Sequence, residues 1–234
     1  MKAERQRLDK FLANNVADFS RALAQRAIRR GWVAVNGEPC RDAARHIEPG
    51  DDVRLDDQPV VAVGTRYLML NKPLDYVCTQ KDSHHPSVFE LLPESWRDHL
   101  HIAGRLDADT TGLVLITTDG DWSHRITSPN HAKAKRYHVT LAEPLSDADA
   151  DTLRNGVELR NEKNATRPAE LILIDPTHCQ LAIREGKYHQ VRRMFAAVGN
   201  KVVELHRDAI GSIQLDAGLA PGAWRELSVS ERTL

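Results

Sequence analysis

The segment with the clearest chemical potential is Gly104-Arg105-Leu106-Asp107-Ala108-Asp109-Thr110-Thr111-Gly112-Leu113-Val114-Leu115. Two glycines bracket a polar loop that feeds an apolar strand. Arg105 and Asp107 are two positions apart, so an extended backbone puts them on one side. A carboxylate at the mouth of a buried strand is well placed to act as nucleophile or base. The same residues also suit an ordinary turn whose aspartates cap backbone amides, and the pattern alone leaves both readings open. A second segment, Arg184-Glu185-Gly186-Lys187-Tyr188-His189-Gln190-Val191-Arg192-Arg193-Met194, sets a glycine and a lysine at an expected helix start, with arginines on the solvent side. The helix dipole disfavours a cation there. Lys187 therefore calls for a carboxylate or phosphate partner, unless it is simply solvated.

Several other chemistries lack a basis in the sequence. It contains no G-x-x-x-x-G-K-[ST], no G-x-G-x-x-G, no G-x-S-x-G and no H-E-x-x-H, which removes the case for nucleotide hydrolysis, dinucleotide redox chemistry and the commonest serine and zinc hydrolases. Cys40, Cys78 and Cys179 lie far apart and none sits in C-x-x-C, so neither a disulfide framework nor a cysteine zinc site is expected. His84-His85 and His99-x-His101 lack acidic partners at ligand spacing and read as surface or loop histidines. No metal and no cofactor is expected.

The elements that must position these loops fall into two groups. Leu8, Phe11 and Leu12 make one helical stripe. Ser20 is a plausible N-cap and Gly31 a plausible stop for a second helix. Leu23, Ala24, Ala27 and Ile28 lie on its apolar side, with Arg21, Arg26, Arg29 and Arg30 opposite. Trp32 to Val35 reads as a strand, Asn36-Gly37 as a type I′ hairpin turn, and Pro49-Gly50 as a turn before Asp51–Leu55. Asp56 to Gly64 looks like a linker. The remainder mixes strand candidates at Tyr67–Leu70, Leu113–Thr117, Tyr137–Leu141, Glu170–Ile174, Gln180–Ile183 and Val202–His206 with helices at Ser146–Arg154 and Tyr188–Val198. Asp119-Gly120 reads as a turn. Val191, Met194, Phe195 and Val198 give the last helix an apolar face. Strands and helices do not alternate regularly, so the expected class is α+β: a small helix-helix-hairpin domain over 1–62 and a larger, mixed, mainly antiparallel-sheet domain over 63–234.

The 234 residues carry 32 basic and 33 acidic side chains, a formal net charge of −1. That near-neutral total opposes a nucleic-acid partner only if charge is spread evenly, and it is not. Residues 1–45 are net +5 and residues 46–64 net −4, while 184–207 hold six basic and two acidic side chains. The longest apolar run is five residues, Met194 to Val198, too short for a helical membrane span. A charged N-terminus and sparse cysteines lead us to expect a reducing, cytoplasmic compartment and no membrane partner.

At the G-R-L-D segment the chain resembles the RsuA-type pseudouridine synthases, whose signature is G-R-L-D followed by T-[ST]-G-L. The stretches TTDGDWSHRITSPNH, NEKNATRPAEL, EGKYHQVRRMFAAVGNKVVELHR and PGAWREL extend the resemblance over nearly the whole chain. RLDKFLANN, SRALAQRAIRRGWVAVNGEP and PGDDV resemble the alpha-L RNA-binding domain. The resemblance implies Asp107 as the catalytic aspartate and Arg105 as an arginine at the RNA interface that helps extrude the target base. It implies Tyr137 as the tyrosine packed on the uracil, Lys187 as the basic partner of the aspartate, and Val191 as the aliphatic residue under the site. Asn71-Lys72-Pro73 matches the motif that supports the active-site loop, with Lys72, Arg192 and Arg193 counted among the substrate-binding residues. Arg21, Arg26, Arg29 and Arg30 would contact phosphates, which position RNA without reading sequence. The chain departs from the family at Asp75, where glycine is usual.

These implications describe a cofactor-free isomerase of one uridine in 16S rRNA, or in a partly assembled small subunit, working as a monomer. HRITSPNH favours the small-subunit substrate over a 23S rRNA target. Two rivals from other classes are a noncatalytic rRNA-binding assembly factor and a hydrolase using Asp107 and Asp109 as a carboxylate pair. The intact set of Arg105, Asp107, Tyr137 and Lys187 argues against the first. The second needs a carboxylate separation that sequence does not supply.

Overall fold

The N-terminal fold follows from one short apolar stripe. Leu8, Phe11 and Leu12 fall on one side of helix α1 (Leu8–Asn15) and are buried. In the structure, a computed structural model describing residues 5–16, 19–62, 64–80, 82–128 and 133–233, that stripe packs on helix α2 (Arg21–Arg30). Ser20 caps α2 by accepting the Leu23 N–H, and Gly31 ends it in a left-handed conformation, φ 78°, as the cap residues dictate. Ala24, Ala27 and Ile28 are buried, whereas Leu23, expected on the same face, stands 40% exposed at the edge of a stripe only three small or branched residues wide.

Strand β1 (Gln6–Arg7) pairs with β4 (His46–Ile47), and a second small sheet takes the order β3 (Glu38–Pro39), β2 (Val33–Val35), β5 (Val53–Leu55), β6 (Gln58–Pro59). The Asn36-Gly37 turn has positive φ at both residues, the requirement of type I′. The expected linker over 56–64 is corrected in its first half. Asp56 and Asp57 also take positive φ, which aspartate tolerates, and turn the chain so that Gln58 pairs with Leu55.

Asp9 is the electrostatic centre of this unit. Its side chain is fully buried and accepts hydrogen bonds from Arg7 Nε and Nη2 (3.1 and 3.0 Å) and from Gln25 Nε2 (2.9 Å). Arg21 Nη2 lies 3.5 Å away. Burial alone would raise the carboxyl's pKa, but those hydrogen bonds and nearby arginine charges outweigh it and hold the group down at about 2.

The chain divides into two compact units, one formed by the chain up to Arg66 with Pro93–His101, the other by Tyr67–Leu92 and Ile102 onward. The second is built on a nine-stranded sheet. Its strands are β7 (Tyr67–Lys72), β8 (His101–Ala103), β9 (Thr111–Thr117), β10 (Lys135–Leu141), β11 (Glu170–Asp175), β12 (His178–Ile183), β13 (Val202–Ile210), β14 (Ile213–Gln214) and β15 (Trp224–Glu226). The main order is β11-β12-β10-β13-β9-β7-β15, with β14 on β13 and β8 on β9. Along this order only β13 against β9 is parallel, at His206–Thr111 and Arg207–Gly112.

Helices α3 (Gly120–Thr127), α4 (Asp147–Asn155), α5 (Gln190–Ala197) and α6 (Val229–Arg232) complete the unit. β9 is buried from Gly112 to Thr117, so it reads as an unbroken apolar run instead of an alternating one. Trp122 and Ile126 of α3 pack with Met69, Leu113, Leu115 and Ile210. Asp119-Gly120, expected as a free turn, instead starts α3. The Asp119 carboxylate accepts the N–H groups of Asp121 and Trp122 and so satisfies the helix end. Helix α5 begins two residues later than its apolar pattern suggests, because His189 takes a left-handed conformation.

The Asp9 cluster predicts a specific acid sensitivity. A carboxyl depressed when folded contributes stability above its unfolded pKa, near 4, and loses it as pH falls toward 2, a total of about 2 kcal/mol. Replacing Asp9 by Asn is expected to lower the melting temperature at pH 7 and to flatten the acid limb of the stability curve, as read by circular dichroism between pH 2 and 5.

Candidate active site

Seven backbone groups of the loop between β8 and β9 are hydrogen-bonded. Arg207, only 1% exposed, donates from Nη2 to the Gly104 carbonyl (2.8 Å) and from Nη1 to the Arg105 carbonyl (3.2 Å), and its Nε and Nη2 reach the Leu113 carbonyl (2.9 and 2.7 Å). The Leu106 N–H points to Cys78 Sγ at 3.4 Å. The Asp107 carbonyl accepts from the Thr110 N–H. The Ala108 carbonyl accepts from Lys72 Nζ (3.2 Å) and from the Asp75 N–H (2.9 Å). The Asp109 carbonyl accepts from Arg192 Nη2 (2.9 Å).

Gly112 permits this arrangement. Its φ is +105°, and a Cβ there would lie 2.2 Å from the Arg207 carbonyl oxygen. Only glycine lets β9 approach Arg207 closely enough for the guanidinium to reach the loop.

The loop opens into a cleft of about 1050 Å³, at the upper end of small-molecule sites. Its lining contains eight lysines and arginines against four aspartates and glutamates, so its field favours a polyanion. Asp107 lies in this cleft with its side chain 40% exposed. Tyr137 and Val191, 7% and 4% exposed, also line it. Tyr137 comes from β10, where residues alternate between core and surface, and Val191 from the buried face of α5. Arg105 is exposed in the cleft and makes no side-chain bond among the described residues. Lys135 lies near Arg207; burial lowers its pKa, and the Arg207 charge lowers it further.

The basic residues are distributed differently from the sequence expectation. Lys187 does not pair with Asp107: its Nζ donates to the Asn164 carbonyl (2.8 Å) and lies 3.4 Å from Glu162 Oε2. The group beside Asp107 is His189, with Nε2 3.5 Å from Oδ1. His189 takes a left-handed backbone at this point. Lys72 is completely buried, and its ammonium donates to the carbonyls of Pro73 (2.8 Å), Tyr76 (2.7 Å) and Ala108. It cannot reach a substrate. Arg192 is spent on Asp109 and on the Val202 carbonyl (3.0 Å), and Arg193 on Glu162 (3.0 Å) and the Tyr188 carbonyl (2.9 Å). These three expected RNA contacts are therefore structural ties in this structure.

In the N-terminal unit, Arg26, Arg29 and Arg30 line one shallow groove, while Arg21 turns partly toward Asp9. Arg30 also lies over the Trp32 ring, 5.0 Å from its centroid.

Comparison with known proteins gives these geometries a family. Residues 66–197 match the RNA pseudouridylate synthases, and residues 6–53 match the S4 domain. The chain belongs to the RNA pseudouridylate synthase family. Ribosomal small subunit pseudouridine synthase A of Escherichia coli K12 is 55% identical over 226 residues, covering 96% of this chain and 97% of its own. The protein of the same name from Yersinia pestis is 53% identical, with 96% of each chain covered. A crystal structure of a pseudouridylate synthase superposes with a TM-score of 0.71 at 46% identity, covering 97% of both chains. The α+β class and the resemblance read from G-R-L-D are thereby confirmed.

Family membership makes the departure at Asp75 interpretable. Its φ of +64° is the conformation a glycine would supply, and its N–H still reaches Ala108. Aspartate is among the few residues that enter this region at modest cost, so the supporting turn survives the substitution. Arg207 is the residue that sequence reasoning missed. Arg207 directly follows the strand expected over Val202–His206, and its place inside the strand became visible only because β13 runs on to Ile210. The last three residues of HRITSPNH, 129–131, lie outside the described residues.

Because one guanidinium satisfies four contacts to three carbonyls, lysine cannot replace it. Arg207→Lys is expected to destabilise the protein by roughly 2–4 kcal/mol through unmet buried carbonyls. Amide exchange over residues 104–113 should accelerate more than elsewhere in the sheet, as measured by hydrogen–deuterium exchange.

Proposed function

We propose that this protein isomerises one uridine in the 16S rRNA of the small ribosomal subunit to pseudouridine, with Asp107 as the catalytic carboxylate acting on a base turned out of its stack. The observation that carries this reading is the placement of Asp107 on a pinned loop at the floor of a cationic cleft. The names of the E. coli and Y. pestis relatives support the small-subunit substrate.

The reaction breaks the bond between uracil N1 and ribose C1′, turns the uracil, and joins C5 to C1′. The proton leaves C5 and N1 ends protonated, so the change is internal and needs no donor or redox partner. A paired uridine must first leave its stack, at a few kcal/mol. Arg105, whose side chain bonds to none of the described residues, suits the space vacated by the base or a phosphate beside it. Tyr137 offers a ring to the extruded uracil, a contact worth about 1–3 kcal/mol in other nucleic-acid sites, and Val191 closes the apolar side. Asp107, whose carbonyl accepts the Thr110 N–H between the fastened Leu106 N–H and Ala108 carbonyl, then acts on the sugar or base without the entropic cost of ordering its loop. Lys187 takes part through the cleft wall that it fastens to Glu162 and Asn164.

Docking is assigned to residues 1–62 and chemistry to 63–234. Arg26, Arg29 and Arg30 bind backbone phosphates of the 16S rRNA or of an assembly intermediate, with Arg21 contributing less because Asp9 holds it. The protein acts as a cytoplasmic monomer. No helix among the described residues is long and apolar enough to cross a membrane.

Asp107→Asn and Asp107→Ala are expected to fold and to bind 16S rRNA as the parent does, yet to form no pseudouridine in a carbodiimide primer-stop assay; normal product from either would overturn the assignment. Replacing Arg26, Arg29 and Arg30 together by alanine should reduce the slope of log affinity against log salt by roughly two, since each lost phosphate contact removes about 0.7–0.9. An unchanged slope would move docking elsewhere.

A further inference from the structure

Tyr188 has no part in the mechanism above, yet it is one of the most exposed large side chains of the protein, at 74%. It lines the same cleft as Asp107. Its ring is not loose. One face stacks on His189, with centroids 3.9 Å apart and planes 18° from parallel. Its carbonyl accepts a hydrogen bond from Arg193 Nη1 at 2.9 Å, and Arg193 is itself fastened to Glu162. His189 is fixed in turn by a left-handed backbone, φ 46° and ψ 37°, and by its approach to Asp107. A histidine held in that region marks a position where the surroundings impose the conformation. The result is a series of three groups: the carboxylate, the imidazole and the phenol ring, with the outer face of the phenol open to solvent.

An aromatic ring with one face occupied and the other open, on the rim of a cationic cleft, is the arrangement that receives a nucleobase. We infer that the open face of Tyr188 stacks a base of the substrate RNA other than the target uracil, so that the Tyr188–His189 pair adds an affinity contact to the RNA strand at the cleft. The inference rests on the RNA-isomerase reading above and adds a second base-binding position to it. The occupant is a nucleobase because the surrounding lysines and arginines select a polyanion and because every base offers a ring face, whatever its sequence. Preorganisation makes the contact effective: Arg193 holds the Tyr188 backbone and His189 holds the ring before RNA arrives, so little side-chain freedom is lost on binding.

The test uses the full-length protein and a 16S rRNA transcript, with the dissociation constant from filter binding and the single-turnover rate at saturating enzyme. Tyr188→Ala should weaken binding roughly 5- to 100-fold, the range of one base–aromatic stack, while the rate at saturation stays within about twofold. Tyr188→Phe, which keeps the ring and loses the hydroxyl, should restore the affinity. His189→Gly, which accepts the left-handed backbone without strain and removes the ring beneath the phenol, should weaken binding in the same direction. Unchanged affinity in Tyr188→Ala would overturn the inference. So would a lower saturated rate at unchanged affinity, which would make the pair a support for Asp107 and not a base platform. An active Asp107→Asn, by contrast, would defeat the isomerase reading whatever the Tyr188 variants do.

Discussion

Burying a cation without a carboxylate partner is costly unless every donor finds an acceptor. Lys72 meets that condition in full and Arg207 with four of its five N–H groups, all on backbone carbonyls, and the loop depends on it. Arg207 takes the carbonyls of Gly104, Arg105 and Leu113; Lys72 takes those of Pro73, Tyr76 and Ala108. Burial lowers the Lys72 pKa, against the opposing influence of Cys78, Asp109, Asp75 and Asp107. Each cation needs the loop's carbonyls as much as the loop needs the cations. Neither half can relax without leaving buried polar groups unpaired, so the loop keeps one shape. Asp107 sits between the fastened Leu106 N–H and Ala108 carbonyl and shares that rigidity.

The same constraint explains the topology around the site. The parallel junction of β13 with β9 brings Arg207 beside Gly112, and the absent Cβ of Gly112 lets the two backbones approach. Lys72 arrives from the end of β7, on the other side of β9. The loop is thus held from two neighbouring strands, with Arg192 of α5 closing its last carbonyl. The N-terminal unit uses a related device with opposite sign: Asp9 is buried and satisfied by Arg7, Gln25 and the nearby Arg21.

Much of the fold was legible because its periodicities are local. The stripe of α1, the Ser20 and Gly31 caps of α2, the Asn36-Gly37 turn and six strands of the large sheet follow from spacing and turn chemistry. Helix α3 was missed because Asp119 serves equally as a turn residue and as a cap, and only packing of Trp122 and Ile126 decides between them. The half of the linker that folds as a hairpin was missed because Asp56-Asp57 is a weaker turn signal than Asn-Gly.

The site divides along a similar line. The sequence by itself singled out the loop: Gly104–Leu115 carries the motif on which the resemblance rests, and Arg105, Asp107, Tyr137, Lys187 and Val191 all line one cleft. What only the tertiary structure decided is which cations are available to a substrate. Lys72, Arg192 and Arg193 look like phosphate ligands in a linear reading, yet each is consumed by carbonyls or carboxylates brought from far along the chain. Lys187 finds Glu162, and His189 takes its place beside Asp107. A sequence shows the charge of a side chain, but its partner is fixed by the path of the backbone, and the partner decides whether that charge meets RNA or holds the protein together.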